Sequence, residues 1–318
     1  MLTLDPALFS PEAVAEETAT FNRELAARLG ALPDQWSFPP QVVRDRREQG
    51  LGPFPAPERS PRARVQVIDG PHGPVPLRII APLQPGDGAF LHIHGGGWTF
   101  GGADLQDARL VQMADRTGLT VVSVDYRLAP ENPYPCGPDD CEAAALWLTG
   151  DGGDALGLRR FAIGGDSAGA NLSAATLIRL RDRHGLTPFL AAVFIAGCFD
   201  LRLTPSARAW GSEKLVLNTR DLEMFVRHYL SRGHDAALPD VSPLLADLRG
   251  LPRAHFVVGT RDPLLDDTLF MAGRWVAAGN AAETRIVPGG CHVFQSFGLS
   301  IALESNNLID NFLRVSMG

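Results

Sequence analysis

The fold is decided by one stretch of ten residues, RFAIGGDSAG at positions 160–169. The apolar residues in its first half predict a short buried strand, and the apolar spacing over residues 168–183 predicts a helix. Gly165 and Gly169 stand two positions before and two positions after Ser167, which permits a very tight turn between strand and helix. A serine in this turn is held above the sheet at a helix N-terminus, where the backbone dipole favours developing negative charge. The stretch therefore predicts a nucleophilic serine, with an ordinary glycine-rich turn as the alternative.

Short apolar runs alternate with helical patterns on both sides of this turn. The predicted strands cover residues 65–67, 75–81, 89–94, 120–125, 160–164, 190–196, 255–259 and 284–287. The predicted helices cover residues 107–117, 139–148, 168–183, 268–278 and 301–314. Strands that are apolar throughout and separated by helices indicate a mostly parallel sheet with helices on both faces, so the predicted fold class is α/β.

Two regions fall outside this alternation. Ser10-Pro11-Glu12 has the residues of a helix start, and the prolines at 53, 55, 57 and 61 predict an extended connector. Residues 201–248 contain no strand-like run and carry aromatic residues on a helical pattern, which is typical of a cap over a site. We predict an N-terminal helical cap segment at 1–55, an inserted cap segment at 201–248, and a catalytic domain at 56–200 and 249–318.

Composition excludes several classes of protein. Hydrophobic residues make up 45% of the 318 residues and charged residues 20%, which excludes a disordered chain or a coiled coil. The net charge of −7 disfavours binding to nucleic acid, and no apolar run approaches the roughly 18 residues that a membrane span needs. The four cysteines form no disulfide framework, and residues 1–6 lack the regions of a signal peptide, so we expect a cytoplasmic protein.

A second motif, HGGGW at residues 94–98, follows the strand predicted at 89–94. Consecutive glycines leave backbone N–H groups unshielded by side chains and free to adopt unusual backbone angles. The tetrahedral intermediate of ester cleavage carries an oxyanion that needs such donors. We assign this role to the N–H groups of Gly96, Gly97 and Ala168, the last being the residue after the predicted nucleophile.

Two other interpretations of the glycine motif are weaker. A phosphate-binding loop is disfavoured because no Gly-Lys-Ser/Thr follows. His92 and His94 share one face of a strand and suggest a metal site, but the glycines that follow supply no further ligand. We therefore predict neither a metal site nor a cofactor.

A serine hydroxyl becomes a nucleophile only when a base removes its proton, and an acid must orient that base. When the serine stands in a strand-to-helix turn of this kind, the acid follows it in the chain and the histidine comes last. Asp262 follows the strand predicted at 255–259, and His292 is the only histidine after it. We therefore predict Ser167, Asp262 and His292 as a catalytic triad. The competing acids are Asp200, interpreted otherwise as a turn residue, and Asp266 and Asp267, interpreted otherwise as charges in the first turn of a helix.

Five segments together resemble the hormone-sensitive-lipase-like family of α/β-hydrolases, the bacterial family IV carboxylesterases. They are HGGGW at 94–98, DYRLAPE at 125–131, GDSAGANL at 165–172, DPL at 262–264 and CHVF at 291–294. The resemblance implies an α/β-hydrolase fold and a cofactor-free hydrolase of small-molecule carboxylic esters with short to medium acyl chains. It also implies the same triad and oxyanion donors, and a homodimer through the sheet edge. Family members commonly have glycine where Ala170 and Val293 stand, and we expect these two residues to alter the substrate range.

The walls of the substrate pocket have no motif of their own. We predict substrate contacts from Trp98, Phe199, Trp210, Leu215 and Val293, with Phe21, Trp36 and Phe225 as further candidates. Large apolar residues serve equally well as core between a cap and the body beneath it.

Two alternatives for the function and one for the nucleophile stay open. The same machinery suits amides, lactones and activated carbamates as well as esters. A ligand receptor that has lost catalysis would keep the pocket but typically lacks the triad histidine, which this chain has. Cys291, beside His292, is a rival nucleophile, although a small packed residue is the simpler interpretation because Ser167 already occupies the turn.

Overall fold

Alternating strands and helices build a layered structure in the computed structural model, which describes residues 4–318. In chain order its helices and strands are α1 (Glu16–Gly30), α2 (Pro40–Glu48), β1 (Arg64–Ile68), β2 (Val75–Ile80), β3 (Gly88–Ile93), α3 (Asp107–Thr117), β4 (Thr120–Val124), α4 (Cys136–Thr149), α5 (Asp151–Leu156), β5 (Arg160–Asp166), α6 (Ala168–His184), β6 (Phe189–Ile195), α7 (Pro205–Ala209), α8 (Thr219–Tyr229), β7 (Arg253–Arg261), α9 (Leu265–Ala277), β8 (Ala282–Cys291) and α10 (Ser300–Met317).

Within residues 4–318, eight strands form one sheet in the order β1-β2-β4-β3-β5-β6-β7-β8. Strand β2 runs antiparallel to β1 and β4, and the other neighbouring pairs are parallel. The residues of β3 and β4 are buried throughout, as expected of strands covered on both faces. The mostly parallel sheet confirms the predicted α/β class.

Successive side chains of a strand point to opposite faces, so β3 contributes to two separate cores. Leu91 packs in the core beneath α4 and α6. Phe90, on the other face, packs in the core beneath α3 and α10. No helix in the described part of the chain is both long enough and apolar enough to cross a bilayer.

The carboxyl ends of four parallel strands carry the residues that the sequence singles out. The glycine loop begins after β3, Ser167 follows β5, Asp262 follows β7 and His292 follows β8. Because parallel strands end at the same edge of a sheet, segments far apart in the chain meet there.

Strand β8 is longer than predicted, spanning Ala282–Cys291 rather than residues 284–287. The pairing of β7 with β8 is irregular between Gly259 and Arg261, and beyond that point Arg261 pairs with Cys291. A β-carbon on Gly259 would stand 1.9 Å from the Gly290 carbonyl oxygen, so glycine lets the two strands stay paired past the irregularity. Residues 288–291, which lie beyond the end of the predicted strand, are therefore strand as well.

The N-terminal helix also differs from the prediction. Ser10 and Pro11 begin only a short 3₁₀ turn at Pro11–Ala13, and α1 starts at Glu16. The intervening Val14 and Ala15 have extended backbone, which separates the turn from the helix.

The N-terminal segment packs against the inserted segment. Trp36 contacts the ring of Phe225 edge-on, with centroids 5.0 Å apart, and its indole N–H donates to Asp221 at 2.7 Å. The two segments predicted as a cap are thus in contact, while the domain boundaries at residues 55, 200 and 248 stay a prediction.

Candidate active site

The turn between β5 and α6 holds Ser167 in a strained conformation, with φ 55° and ψ −118°. Non-glycine residues rarely adopt positive φ, and the surrounding structure has to hold such a residue in place. A β-carbon on either Gly165 or Gly169 would stand 2.0 Å from the Ile93 carbonyl oxygen, so both positions need glycine. Ala168 is the first residue of α6, which sets the serine hydroxyl at a helix N-terminus.

Ser167, His292 and Asp262 meet in the structure. The Ser167 Oγ lies 2.9 Å from Nε2 of His292, within reach for proton transfer. Nδ1 of the same ring lies 3.1 and 3.0 Å from the two carboxylate oxygens of Asp262. All three side chains are buried, and the Leu264 N–H donates to Asp262 at 2.9 Å, which fixes the carboxylate. The geometry is that of a nucleophile, a base and an orienting acid.

The competing acids have other partners. Asp200 forms an ion pair with the arginine two residues on, at 2.8 Å. Asp266 and Asp267 stand in the first turn of α9. Asp267 does more than place a charge there, because its buried carboxylate accepts hydrogen bonds from the Phe199 and Asp200 N–H groups and from the Thr204 hydroxyl. Asp267 therefore links the loop after β6 to α9 through these hydrogen bonds.

The glycine loop after β3 takes a conformation that side chains would block. Gly96 and Gly97 have φ of 119° and 61°. A β-carbon at Gly96 would stand 2.2 Å from the Phe100 carbonyl oxygen, and one at Gly97 would stand 2.1 Å from the ring of Phe225. Within residues 4–318, the backbone N–H groups of Gly96, Gly97 and Ala168 donate to no acceptor. These three groups are therefore available to a ligand oxygen.

His94 braces this loop. Its Nδ1–H donates to the Gly95 carbonyl at 2.8 Å, and its ring stacks on Tyr126 with centroids 4.2 Å apart. His92 packs within the sheet, with Nδ1 2.8 Å from the Ser123 hydroxyl, and burial lowers its pKa to about 3. Among the described residues, no three His, Cys, Asp or Glu side chains are grouped as ligands for a metal ion.

A cavity of about 380 Å³ borders Ser167 and His292. Its walls come from the glycine loop, α3, the strand residues beneath them, the inserted segment and the connector at 53–58. Val293 and Phe225, both considered from the sequence, line it. The volume lies at the small end of ligand pockets, which span about 300–1,000 Å³.

The structure places Trp98, Phe199, Trp210 and Leu215 away from these walls. Trp98 stacks on a tyrosine of α8 with ring centroids 4.6 Å apart, and Phe199 packs edge-on against a phenylalanine of β6 at 5.7 Å. Trp210 donates its indole N–H to a carbonyl three residues on, at 2.7 Å, and Leu215 is fully buried. Trp98 thus packs between cap and body, Phe199 and Leu215 belong to the core, and Trp210 packs against the core while partly exposed, which are roles that large apolar residues equally serve.

Sequence reasoning missed several parts of the wall, among them the connector and two residues of the N-terminal segment. The connector at 53–58 lines the cavity, and Arg28 holds its start by donating to the carbonyls of Gly52 and Pro53 at 2.9 and 2.8 Å. Gln35 and Arg47, from the N-terminal segment, also line the cavity. The proline run is the one sequence signal for the connector wall, because it fixes an extended backbone. No local pattern marks the other two residues.

Known proteins match this chain over most of its length. A family model described as alpha/beta hydrolase fold matches residues 90–296. The carboxylic ester hydrolase LipN of Mycobacterium tuberculosis is 37% identical over 266 residues, covering 78% of this chain and 70% of its own length. An acetyl esterase of Salmonella choleraesuis is 28% identical over 250 residues, covering 78% of this chain and 77% of its own length.

Solved structures agree over almost the whole chain. The Pyrobaculum calidifontis esterase has a TM-score of 0.81 at 29% identity and covers 94% of this chain and 99% of its own. An esterase from the bacterial hormone-sensitive lipase family has a TM-score of 0.82 at 30% identity and covers 96% of this chain and 100% of its own. The family resemblance seen in the sequence is thereby confirmed. The chain belongs to the hormone-sensitive-lipase-like, bacterial family IV branch of the α/β-hydrolases, and it is a carboxylic ester hydrolase.

Proposed function

We propose that this chain is a serine carboxylesterase that hydrolyses short- to medium-chain esters through an acyl-enzyme on Ser167. The observation that carries the proposal is the line of contacts from Ser167 through His292 to Asp262, at 2.9 and 3.0 Å. A base within hydrogen-bond reach of the hydroxyl, held in turn by an acid, is the arrangement that activates serine.

The reaction proceeds in two halves. His292 takes the proton of Ser167 as the serine oxygen attacks the ester carbonyl carbon, and the N–H groups of Gly96, Gly97 and Ala168 hold the resulting oxyanion. The ring then gives the proton to the leaving alcohol while the acyl group stays on the serine. A water molecule, deprotonated by the same ring, attacks the acyl carbon, and the ring returns that proton to the Ser167 oxygen as the acid is released.

The cavity supports the chain-length assignment. Its volume of about 380 Å³ is shared by the acyl and alcohol parts of the ester. Val293 and Phe225 are among the apolar side chains that border it. We therefore expect turnover to be highest for short and medium acyl chains and to fall for palmitoyl esters.

Cys291 is a poor rival to the serine. Burial raises the pKa of its thiol to about 12, because the thiolate would be desolvated next to the Asp262 carboxylate. The thiolate is the reactive form of cysteine, and it is scarce at neutral pH when the pKa is this high.

The test is a panel of p-nitrophenyl esters from acetyl to palmitoyl, measured with the native chain and with Ser167→Ala. We expect the substitution to lower kcat by about 10⁴-fold or more. Cys291→Ala is the matched control and should keep activity and labelling by a fluorophosphonate probe. A Ser167→Ala protein that still hydrolyses esters at the native rate would rule out the serine mechanism. Faster cleavage of matched amides or lactones would instead change the substrate class.

The cytoplasmic location and the homodimer stay predictions from the sequence and the resemblance. Sedimentation at micromolar concentration tests the second, since a dimer doubles the 34.2 kDa mass of the chain. A single species at the monomer mass would contradict it.

A further inference from the structure

Three cations gather at one corner of the cap. Arg46 and Arg47 come from α2, and Lys214 comes from the inserted segment and is the only lysine in the chain. They line a small cavity of about 40 Å³ that adjoins the main one. The two cavities share Arg47, Gln35 and a proline of the connector, so the corner faces the space where the ester would bind.

One carboxylate offsets these three charges. Asp221 lies 3.4 Å from Lys214 Nζ and, among the described residues, is the one carboxylate within 4 Å of any of the three cations. It also accepts hydrogen bonds from the Gln35 amide at 2.9 Å and the Trp36 indole at 2.7 Å. The Asp221 carboxylate oxygens are thus largely engaged by Lys214 and these neutral donors. One negative charge against three cations leaves the corner with surplus positive charge.

Arg47 is the member of this group that faces both cavities. Its Nη2 donates to Gln35 Oε1 at 3.0 Å, and its guanidinium lies over the ring of Phe100 at 4.2 Å from the centroid. Its Nε is buried and, within residues 4–318, has no hydrogen-bond partner. Burial lowers the pKa of Arg47 to about 10, so the group still carries its charge at neutral pH. The half-buried Arg47 charge is only partly compensated by Asp221, which Lys214 and two neutral donors already engage, so an anion from outside the chain would stabilise it.

The other charged groups on the main wall already have partners or lie in water. Arg109 pairs with Asp310 at 2.5 Å. Asp166 accepts from the Gln106 amide at 2.8 Å. Glu58 is exposed at the rim. Arg47 is therefore the group on this wall best placed to bind a ligand anion.

Aromatic contacts connect Arg47 to the reacting centre. The ring of Phe225 stands against Gly97, packs edge-on with Phe100 at 5.6 Å, and lines the main cavity. The Arg47 guanidinium in turn lies over the ring of Phe100. A chain of side-chain contacts thus links Arg47 to the glycine loop.

We propose that Arg47 binds a carboxylate on the substrate, so that the preferred esters carry a free acid group on their acyl or alcohol side. The proposal rests on the proposed esterase function and specifies its substrate class. A guanidinium suits a carboxylate because its N–H groups match the two oxygens.

The test compares anionic esters with neutral esters of equal length. One arm uses monoethyl succinate, glutarate, adipate and suberate against ethyl esters of the corresponding unbranched monoacids. The other arm uses 4-acetoxybutanoate and 6-acetoxyhexanoate against pentyl and heptyl acetate. Hydrolysis is followed by chromatography of the products, for the native chain and for Arg47→Gln and Arg47→Lys. The arm with the larger native preference assigns the acid group to the acyl or the alcohol side.

The expected result is a native preference in kcat/KM for the anionic esters, with an optimum at one chain length. Arg47→Gln should lower kcat/KM for those esters by a factor about 10-fold to 100-fold larger than its effect on the neutral esters. Arg47→Lys, which keeps the charge, should retain part of the preference.

Arg44→Gln is the matched control on the same helix. Arg44 pairs with Glu131 at 2.8 Å and donates to the Thr99 carbonyl at 2.9 Å, so its loss should affect anionic and neutral esters alike. If Arg47→Gln also lowers both classes equally, Arg47 is a structural brace and the proposal is overturned while the esterase function stands. The absence of any native preference for anionic esters would overturn it too. Failure to hydrolyse either class would instead reject the proposed function.

Discussion

Replacing Gly97 with alanine tests whether the glycine loop supplies an oxyanion donor. A second substitution, at Phe225, is expected to reverse part of the effect. A β-carbon at this position would stand 2.1 to 2.5 Å from three atoms of the Phe225 ring. Contacts that short cannot exist, so either the loop or the ring must move. The positive φ of 61° adds a cost of about 1–2 kcal/mol for any residue with a β-carbon. Both effects push the Gly97 N–H away from the position that an oxyanion would occupy.

The expected loss of kcat follows from the transition-state stabilisation that one N–H donor supplies. Removing one N–H from an oxyanion hole costs about 2.7–4 kcal/mol in the transition state, which is roughly 10²-fold to 10³-fold in kcat. We expect Gly97→Ala to show this loss in kcat with little change in KM, because the ground-state carbonyl depends less on the donor. The assay is hydrolysis of p-nitrophenyl butyrate, with circular dichroism and a thermal melt to confirm folding.

A second substitution separates steric displacement from general damage. Phe225→Ala removes the ring that the new methyl group would meet, so the double variant should recover a large part of kcat. Gly96→Ala is the matched control, because its β-carbon would stand 2.2 Å from the Phe100 carbonyl oxygen, a backbone atom that truncating Phe225 does not move. Phe225→Ala should therefore rescue Gly97→Ala and fail to rescue Gly96→Ala.

Two outcomes would contradict the proposed role of the Gly97 N–H and its displacement by the Phe225 ring. A folded Gly97→Ala protein with native kcat would mean that this N–H does not hold the oxyanion. Equal rescue of both glycine variants by Phe225→Ala would mean that the loss does not arise from contact with the ring. The single Phe225→Ala variant is measured alongside, since truncating a buried phenylalanine costs about 3–5 kcal/mol of stability.

Three further predictions concern the pocket wall, the cap and the buried histidine. Val293 lines the cavity and has φ 48°, which is unusual for a β-branched residue and suits glycine. Val293→Gly should therefore open space in the wall and raise kcat/KM for branched acyl esters relative to acetyl esters. An unchanged ratio of the two kcat/KM values would contradict the place of Val293 in the wall. Arg179 is buried and donates to Asp139, Glu142 and Asp240, so Arg179→Met should lower the free energy of unfolding by about 3–5 kcal/mol in urea titrations while kcat of the folded protein is kept. Burial lowers the pKa of His92 to about 3, below its value in the unfolded chain. The contribution of neutral His92 to the free energy of unfolding is therefore present above about pH 6.5 and is lost as the pH falls towards 3. Between pH 8 and pH 5 that loss is about 2 kcal/mol, and His92→Asn should lack it; parallel curves of unfolding free energy against pH for the two proteins would refute the assignment.

The sequence located the residues that meet at the candidate site better than it located the walls around them. The strained turn at Ser167 needs glycine on both sides, and the oxyanion loop needs glycine at two adjacent positions, so each leaves a local pattern in the chain. The order of the strands then places Asp262 and His292 at the same sheet edge. The start of α1 and the length of β8 could not be predicted in this way, because they depend on backbone conformation and pairing that no residue type encodes.

The residues that line the cavity cannot be identified from local sequence patterns in the same way. Phe225 and Tyr229 stand four residues apart on one face of α8, with the same kind of side chain and the same burial. Phe225 reaches Gly97 and the cavity, whereas Tyr229 stacks on Trp98 in the core between cap and body. Core packing and substrate binding both require buried apolar bulk, so composition and periodicity cannot separate the two roles. Charge can separate them, because packing an apolar core does not require a half-buried guanidinium whose charge is only partly compensated. For this reason Arg47, rather than any aromatic residue, is the part of the wall from which the chemistry of the substrate can be inferred.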